Sequence, residues 1–197
     1  MAETDSRVPG VLHFDVSINE KNEDSTMSML ISHIKKSWDT TALQKKVFDN
    51  GITNRVVGFF VKNDPQTMVS ARFAELGRSD MVLCRIYGPK TELLIDRAQE
   101  LINMQELALH GIASPLYCTF NNGYCYKFIE GSVLTIDNVS NPHVSSLIAK
   151  KMAKLHSLKL SDHFLKNHKM ESKLFETLHR LVNLVPATFE DESRQKK

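Results

Sequence analysis

The chain has 197 residues, 42% of them hydrophobic, and a formal net charge of +2. That suits one domain or two small lobes with a real core, and so even a charge selects no particular partner. No apolar run approaches the ~18 residues of a membrane span, no basic-then-apolar leader opens the sequence, and three scattered cysteines without a Cys-x-x-Cys fit a reducing compartment.

The expected location is therefore the cytoplasm, with no metal site built from cysteine and histidine. Nucleic acid is not an expected partner. Lys35-Lys36, Lys45-Lys46 and Lys150-Lys151 are scattered pairs without an aromatic-interleaved basic patch.

Residues 1–26 are polar and read as a flexible N-terminus, with one strand within Val11 to Ile18. Met27, Leu30, Ile31 and Ile34 recur at helical spacing, so an amphipathic helix should pack on a sheet there. Asn50-Gly51 signals a turn before a strand over Val56 to Val61. The turn has two readings: an ordinary hairpin, or a loop whose backbone N–H groups approach a phosphate. It is not a Walker A loop, because no Gly-Lys-Ser/Thr closes it. Lys62 to Asp80 is polar, contains Asp64-Pro65 and reads as a long connection.

Met81 to Tyr87 is a short apolar run closed by Gly88-Pro89, a buried-strand pattern carrying Arg85. A helix should start at Asp96, with Gln99 three residues on, and stop at Gly111. Met104 and Leu107 share a stripe with Glu100. Glu100 is either solvated near the positive end of the helix dipole or paired with Arg85, since a buried charge without a partner is costly. Pro115 to Phe120 and Tyr124 to Ile129 flank Asn122-Gly123, a hairpin signal. A two-residue turn at Asn122-Gly123 would set Phe120 opposite Cys125 and Cys118 opposite Lys127, leaving the cysteines diagonal and unbridged.

Asn141-Pro142 should start a helix whose one face carries Leu147, Ile148, Met152 and Leu155. His156 near its end reads as a catalytic or metal candidate, or, favoured, as a histidine at helix carbonyls. A further helix is expected over 173–184, before Pro186, and the tail from Glu190 alternates charges. The fold class is α+β: an antiparallel sheet of about five strands with one crossing helix, then helices.

The segments VLCRIYGPKTELLIDR, LYCTFNNGYCYKFIEG and IAKKMAKLHSL resemble the ethanolamine branch of the choline/ethanolamine kinase family. GITNRVVGFF resembles its phosphate loop, and LVNLVPATFEDESRQKK the approach to its catalytic loop. The likeness runs from about Val47 to the last residue, with a gap over Lys62 to Ser79. It implies a protein-kinase-like N-terminal lobe and hinge over 27–131 and the start of a helical C-terminal lobe, truncated, over 132–197.

The resemblance also implies roles. Arg85 would contact ATP phosphates, and Glu100 would pair with it. Gly51, Thr53 and Asn54 would belong to the phosphate loop, and Phe128 and Ile129 to the hinge that receives adenine. The implied reaction is ATP-dependent phosphorylation of ethanolamine to phosphoethanolamine, in phosphatidylethanolamine synthesis. The family's base, an aspartate in a His-x-Asp loop with an asparagine five residues after that aspartate, has no match; Ser161-Asp162-His163 has the wrong order, and His168 and His179 also lack the motif. No catalytic residue is therefore expected in this chain, and the Mg²⁺ ligands are expected beyond Lys197. The alternative is a catalytically inactive short form acting as a nucleotide-binding or dimerising module. The apolar face of Ile148, Met152 and Leu155 would then be exposed and favour association, including as a homodimer.

Overall fold

In a computed structural model, residues 8–48, 54–61, 81–168 and 171–185 are described. The chain divides into one compact unit ending at Lys159 and a second beginning at Leu160.

The first unit is built on a six-stranded sheet in the order β1-β5-β6-β4-β3-β2. The strands are β1 (Leu12–Phe14), β2 (Leu43–Phe48), β3 (Asn54–Val61), β4 (Val82–Tyr87), β5 (Leu116–Phe120) and β6 (Gly123–Lys127). Five strands are antiparallel neighbours, as the hairpin pattern predicts, and the short edge strand β1 adds itself parallel to β5. Helix α1 (Glu23–Ile34) covers one face and α2 (Arg97–Leu109) belongs to the other.

Side chains alternate along a strand, so each strand feeds both faces. Val82, Cys84, Val57, Phe59, Cys118, Phe120 and Cys125 join Met27, Leu30 and Ile31 of α1 in the larger core. All three α1 residues are fully buried, each worth about 1.5–3 kcal/mol over its exposed state. Leu101 of α2 packs with Tyr124, Tyr87, Leu116, Tyr126 and Val8 on the opposite face. The acidic first turn of α1, Glu23 and Asp24, suits the positive end of its dipole.

The boundaries of α2 follow the sequence signals. The Asp96 carboxylate accepts from the Gln99 backbone N–H at 3.0 Å, and Gly111 lies beyond the last turn at φ +65°. Glycine takes that left-handed conformation without the steric cost that a Cβ would impose.

The hairpin register differs from the expectation. The turn occupies Asn121-Asn122, so Phe120 faces Gly123 and Cys118 faces Cys125. Cys125 also faces Cys84 on β4, and the three cysteines form one row as free thiols. Gly123 is needed within the strand. A Cβ there would lie 2.1 Å from the Arg85 carbonyl oxygen and under 3 Å from the Phe120 ring. Asn122 is anchored instead: its side-chain oxygen accepts from Ile18 N–H at 2.9 Å and its amide donates to the Ile18 carbonyl at 2.7 Å.

After the sheet come α3 (Ile136–Ser140) and α4 (Pro142–His156), with Pro142 opening α4 as the sequence indicates. Of the face expected to be exposed on α4, Met152 and Leu155 are exposed, with Leu147 beside them, whereas Ile148 is half-buried. The second unit holds α5 (Asp162–Asn167), capped by Ser161, and α6 (Leu174–Asn183), which sits within one residue of its predicted bounds.

Candidate functional site

Tyr87 and Arg85 lie two residues apart on β4 and therefore point to the same face as α2. Across that face Arg85 Nη2 meets Glu100 Oε1 at 3.3 Å. The other carboxylate oxygen accepts from Arg97 Nη1 at 2.8 Å. One carboxylate thus serves two guanidinium groups, and two positive charges against one negative leave the cluster at +1.

Arg97 sits in the first turn of α2, where a cation opposes the helix dipole. Its surroundings compensate. The residue is only 4% exposed, and its guanidinium carbon lies 4.1 Å from the centre of the Tyr87 ring. Its Nη2 donates to Thr91 Oγ1 at 2.5 Å and to Asn54 Oδ1 at 3.2 Å. Asn54 is the first residue of β3, immediately after the expected phosphate loop.

Arg85 is less enclosed and also donates from Nη1 to the Tyr124 hydroxyl at 3.2 Å. The Nε groups of Arg85 and Arg97 and the Tyr87 hydroxyl are buried with no hydrogen-bond partner among the described residues. Burial first, and then the nearby Glu100 charge, raise the Tyr87 phenol above its ordinary range. Burial likewise raises Tyr124, to about 12, against the lowering pull of Arg85. Both phenols stay protonated at neutral pH. The arrangement is a fixed cationic centre with unspent N–H donors, chemistry suited to a multiply charged oxyanion. Beside it lies a cavity of about 330 Å³ lined by Tyr87, Gly88, Lys90, Arg97 and Asn122, among others.

A second polar cluster occupies the α1 face. Glu23, 5% exposed, forms a two-pronged pair with Arg55 and also meets Lys45 at 3.4 Å, while Lys45 reaches Asp24 at 2.5 Å. A cavity of about 640 Å³ adjoins it. Two cations against two anions leave no net charge to attract an anion, unlike the Arg85 cluster.

Arg85 and Glu100 are therefore brought together, and Asn54 joins them through Arg97. Gly51 and Thr53 fall outside the described residues. Phe128 and Ile129 are not brought to Arg85. They follow β6, and Phe128 is four residues past Tyr124, about 13 Å along the strand. The Phe128 N–H donates to the Met81 carbonyl at 3.2 Å, and Ile129 is exposed. Sequence reading missed Arg97, Tyr87, Thr91 and Tyr124. Arg97 carried a usable signal: a cation just inside a helix start, three residues before Glu100, needs an anion to hold it. Among the described residues no group of three or more His, Cys, Asp or Glu could hold a metal ion. No described helix is long and apolar enough to cross a membrane.

Sheet, crossing helix and a strand arginine held by a helix glutamate together define a kinase-like small lobe. The sequence model of the choline/ethanolamine kinase family matches residues 46–197. Mouse ethanolamine kinase 1 is 35% identical over 193 residues, covering 96% of this chain and 48% of the mouse protein. Human ethanolamine kinase 2 is 36% identical over 152 residues, 77% of this chain and 36% of the human one. Among solved structures, an ethanolamine kinase from Plasmodium vivax superposes with a TM-score of 0.64 at 26% identity, over 87% of this chain and 47% of its own. A choline kinase from Cryptosporidium parvum shares the fold at a TM-score of 0.59 and 21% identity. The chain belongs to the choline/ethanolamine kinase family. It spans less than half the length of these relatives.

Proposed function

We propose that this chain carries the nucleotide-phosphate half of an ATP-dependent ethanolamine kinase. The Arg85–Glu100 pair, 3.3 Å apart across β4 and α2, is the observation that supports this reading most directly. Phosphoryl transfer works mainly by positioning and by neutralising phosphate charge. Arg85 would supply that charge and Glu100 would fix its direction. Asn54, with Gly51 and Thr53, would frame the phosphates from the β2–β3 side, and the exposed Ile129, with Phe128, would meet adenine. Ethanolamine as acceptor rests on similarity to the mouse and human ethanolamine kinases, at about 35% identity.

The one His-x-Asp in the sequence, His13-Phe14-Asp15, starts on β1 and has Glu20 where the family's loop has an asparagine five residues after its aspartate, so it does not match that loop. The proton acceptor and Mg²⁺ ligands of the reaction would come from sequence that the longer relatives have and this chain does not span. No step through the metal is assigned to these residues. ATP should bind without ADP forming, and ADP release with ethanolamine present would overturn that part of the reading.

Titration calorimetry with ATP tests the site. Arg85→Ala should weaken ATP binding by about 10- to 100-fold, the scale of charge-assisted hydrogen bonds worth about 1.5–3 kcal/mol. Unchanged affinity would sink the assignment.

A further inference from the structure

We infer that Arg97 is a positioning residue, which aims Arg85 at the nucleotide phosphates by sharing its carboxylate and ties that pair to the strand leaving the phosphate loop. The inference deepens the proposed function and rests on it for the ligand.

Three observations carry it. First, Glu100 divides its two oxygens between Arg85 and Arg97, at 3.3 and 2.8 Å, so one guanidinium fixes the rotation of the carboxylate that the other uses. A carboxylate held at one oxygen pivots about its χ3, a broad torsion; held at both it does not. Second, Arg97 is the more rigid of the two. It is almost wholly buried and stacked on Tyr87, whereas Arg85 is more open to solvent. Arg97 belongs to the frame, and Arg85 is the arm. Third, Arg97 Nη2 bonds both Asn54 and Thr91, so one side chain joins the start of β3, the turn at Thr91–Leu93 and the start of α2. A movement of Asn54 on phosphate contact would be felt at Glu100 and so at Arg85. Lysine cannot reproduce this. It has a single charged nitrogen and no planar fork, so it cannot hold Glu100, Asn54 and Thr91 in one plane or stack on Tyr87 in the same way.

The test titrates ATP and adenosine into the full 197-residue chain and its Arg97→Lys, Arg85→Ala and doubly substituted forms. Arg97→Lys should weaken ATP by about 5- to 10-fold and leave adenosine unchanged, because only phosphate contacts depend on Arg85. In the Arg85→Ala background the same change should alter ATP affinity by less than about twofold, the non-additivity expected of residues acting through one another. Equal losses for ATP and adenosine, an undiminished loss in the Arg85→Ala background, or no loss at all would overturn the inference. If Arg97→Lys does not fold, Thr91→Val takes its place. It removes the hydroxyl acceptor at nearly constant volume and should give the same pattern at about two- to threefold; its absence would be equally fatal.

A second readout needs no nucleotide. Nitrogen-resolved NMR of the arginine side chains should show an ordered Arg85 Nε–H that is lost in Arg97→Lys while backbone amides away from the site keep their shifts. An Arg85 signal that persists unchanged would overturn the positioning role. Failure of the wild-type chain to bind ATP would instead refute the proposed function, leaving the NMR result to decide on Arg97.

Discussion

The two faces of one sheet differ in kind. On the α1 face the core cluster is apolar or thiol, and the charges, the buried Glu23 among them, stand in balanced pairs beside it. On the α2 face the same strands place Arg85 and three tyrosines against Arg97 and Glu100 of the helix, with buried N–H groups left without a partner among the described residues. Because successive residues of a strand alternate sides, β4 supplies Cys84 and Ile86 to the first face and Arg85 and Tyr87 to the second. Stability and chemistry are thereby separated within a few ångströms of backbone. A packed apolar face can hold the frame while the other keeps polar groups incompletely satisfied.

The separation predicts which substitutions trade one property for the other. Phe120→Ala on the α1 face should have the largest effect, lowering unfolding free energy in urea by about 3–5 kcal/mol, because Phe120 is fully buried. At temperatures where the variant stays folded, its ATP affinity should match wild type. A selective loss of ATP binding there would break the division.

Alkaline pH should act on both faces together. Burial holds the proton on Cys125, while the hydrogen bond with Cys125, and then burial, hold it on Cys118; both thiols lie well above their ordinary range. Tyr87, Tyr124 and Tyr126 are raised chiefly by burial. A group raised in the folded state gives stability that is fully present below its unfolded pKa and is lost as pH climbs toward the folded one. Urea midpoints should thus be level up to about pH 8 and fall above about pH 9. Each group contributes a slope of at most about 1.4 kcal/mol per pH unit. A flat profile to pH 10.5 would show that these groups are better solvated than their burial indicates.

The smallest effect should come from the rim. Arg55→Ala removes the two-pronged partner of Glu23 but leaves Lys45 beside it, and Arg55 is itself 45% exposed. The expected loss is about 1–2 kcal/mol, below the 3–5 kcal/mol typical of a fully buried pair. ATP binding should not change. A larger loss would mean that the rim pair holds α1 in place rather than decorating it.

Much of this was legible in residue order. Capping by Asp96, the stop at Gly111, the Pro142 start and the apolar period of α1 are local signals, and each led to the right element. The pairing of Arg85 with Glu100 needed more than spacing, because a glutamate in a first helical turn is equally at home in water; the family resemblance tipped that reading. The hairpin was harder. Asn-Gly suggests a turn with left-handed residues, yet Gly123 does not have a positive φ, and neither turn residue does. Gly123 is there because the Arg85 carbonyl and the Phe120 ring leave no room for a Cβ, a tertiary fact invisible along the chain. Arg97 was missed for a related reason: its partner Asn54 stands 43 residues away on β3, and the Tyr87 ring reaches it only once β4 and α2 pack together.

The parallel edge strand bears on the order in which the lobe assembles. His13 of β1 bonds Thr119 of β5 at 2.9 Å across 106 residues of chain, whereas β5 and β6 meet around a two-residue turn. Closing the long loop costs about 2–3 kcal/mol more in chain entropy than closing the short one. The antiparallel strands can therefore form their ladder before β1 arrives, and the edge becomes a late addition. Val8, four residues before β1, packs on Leu101 and Tyr124, so the arrival of this edge also closes over the face that carries Arg85.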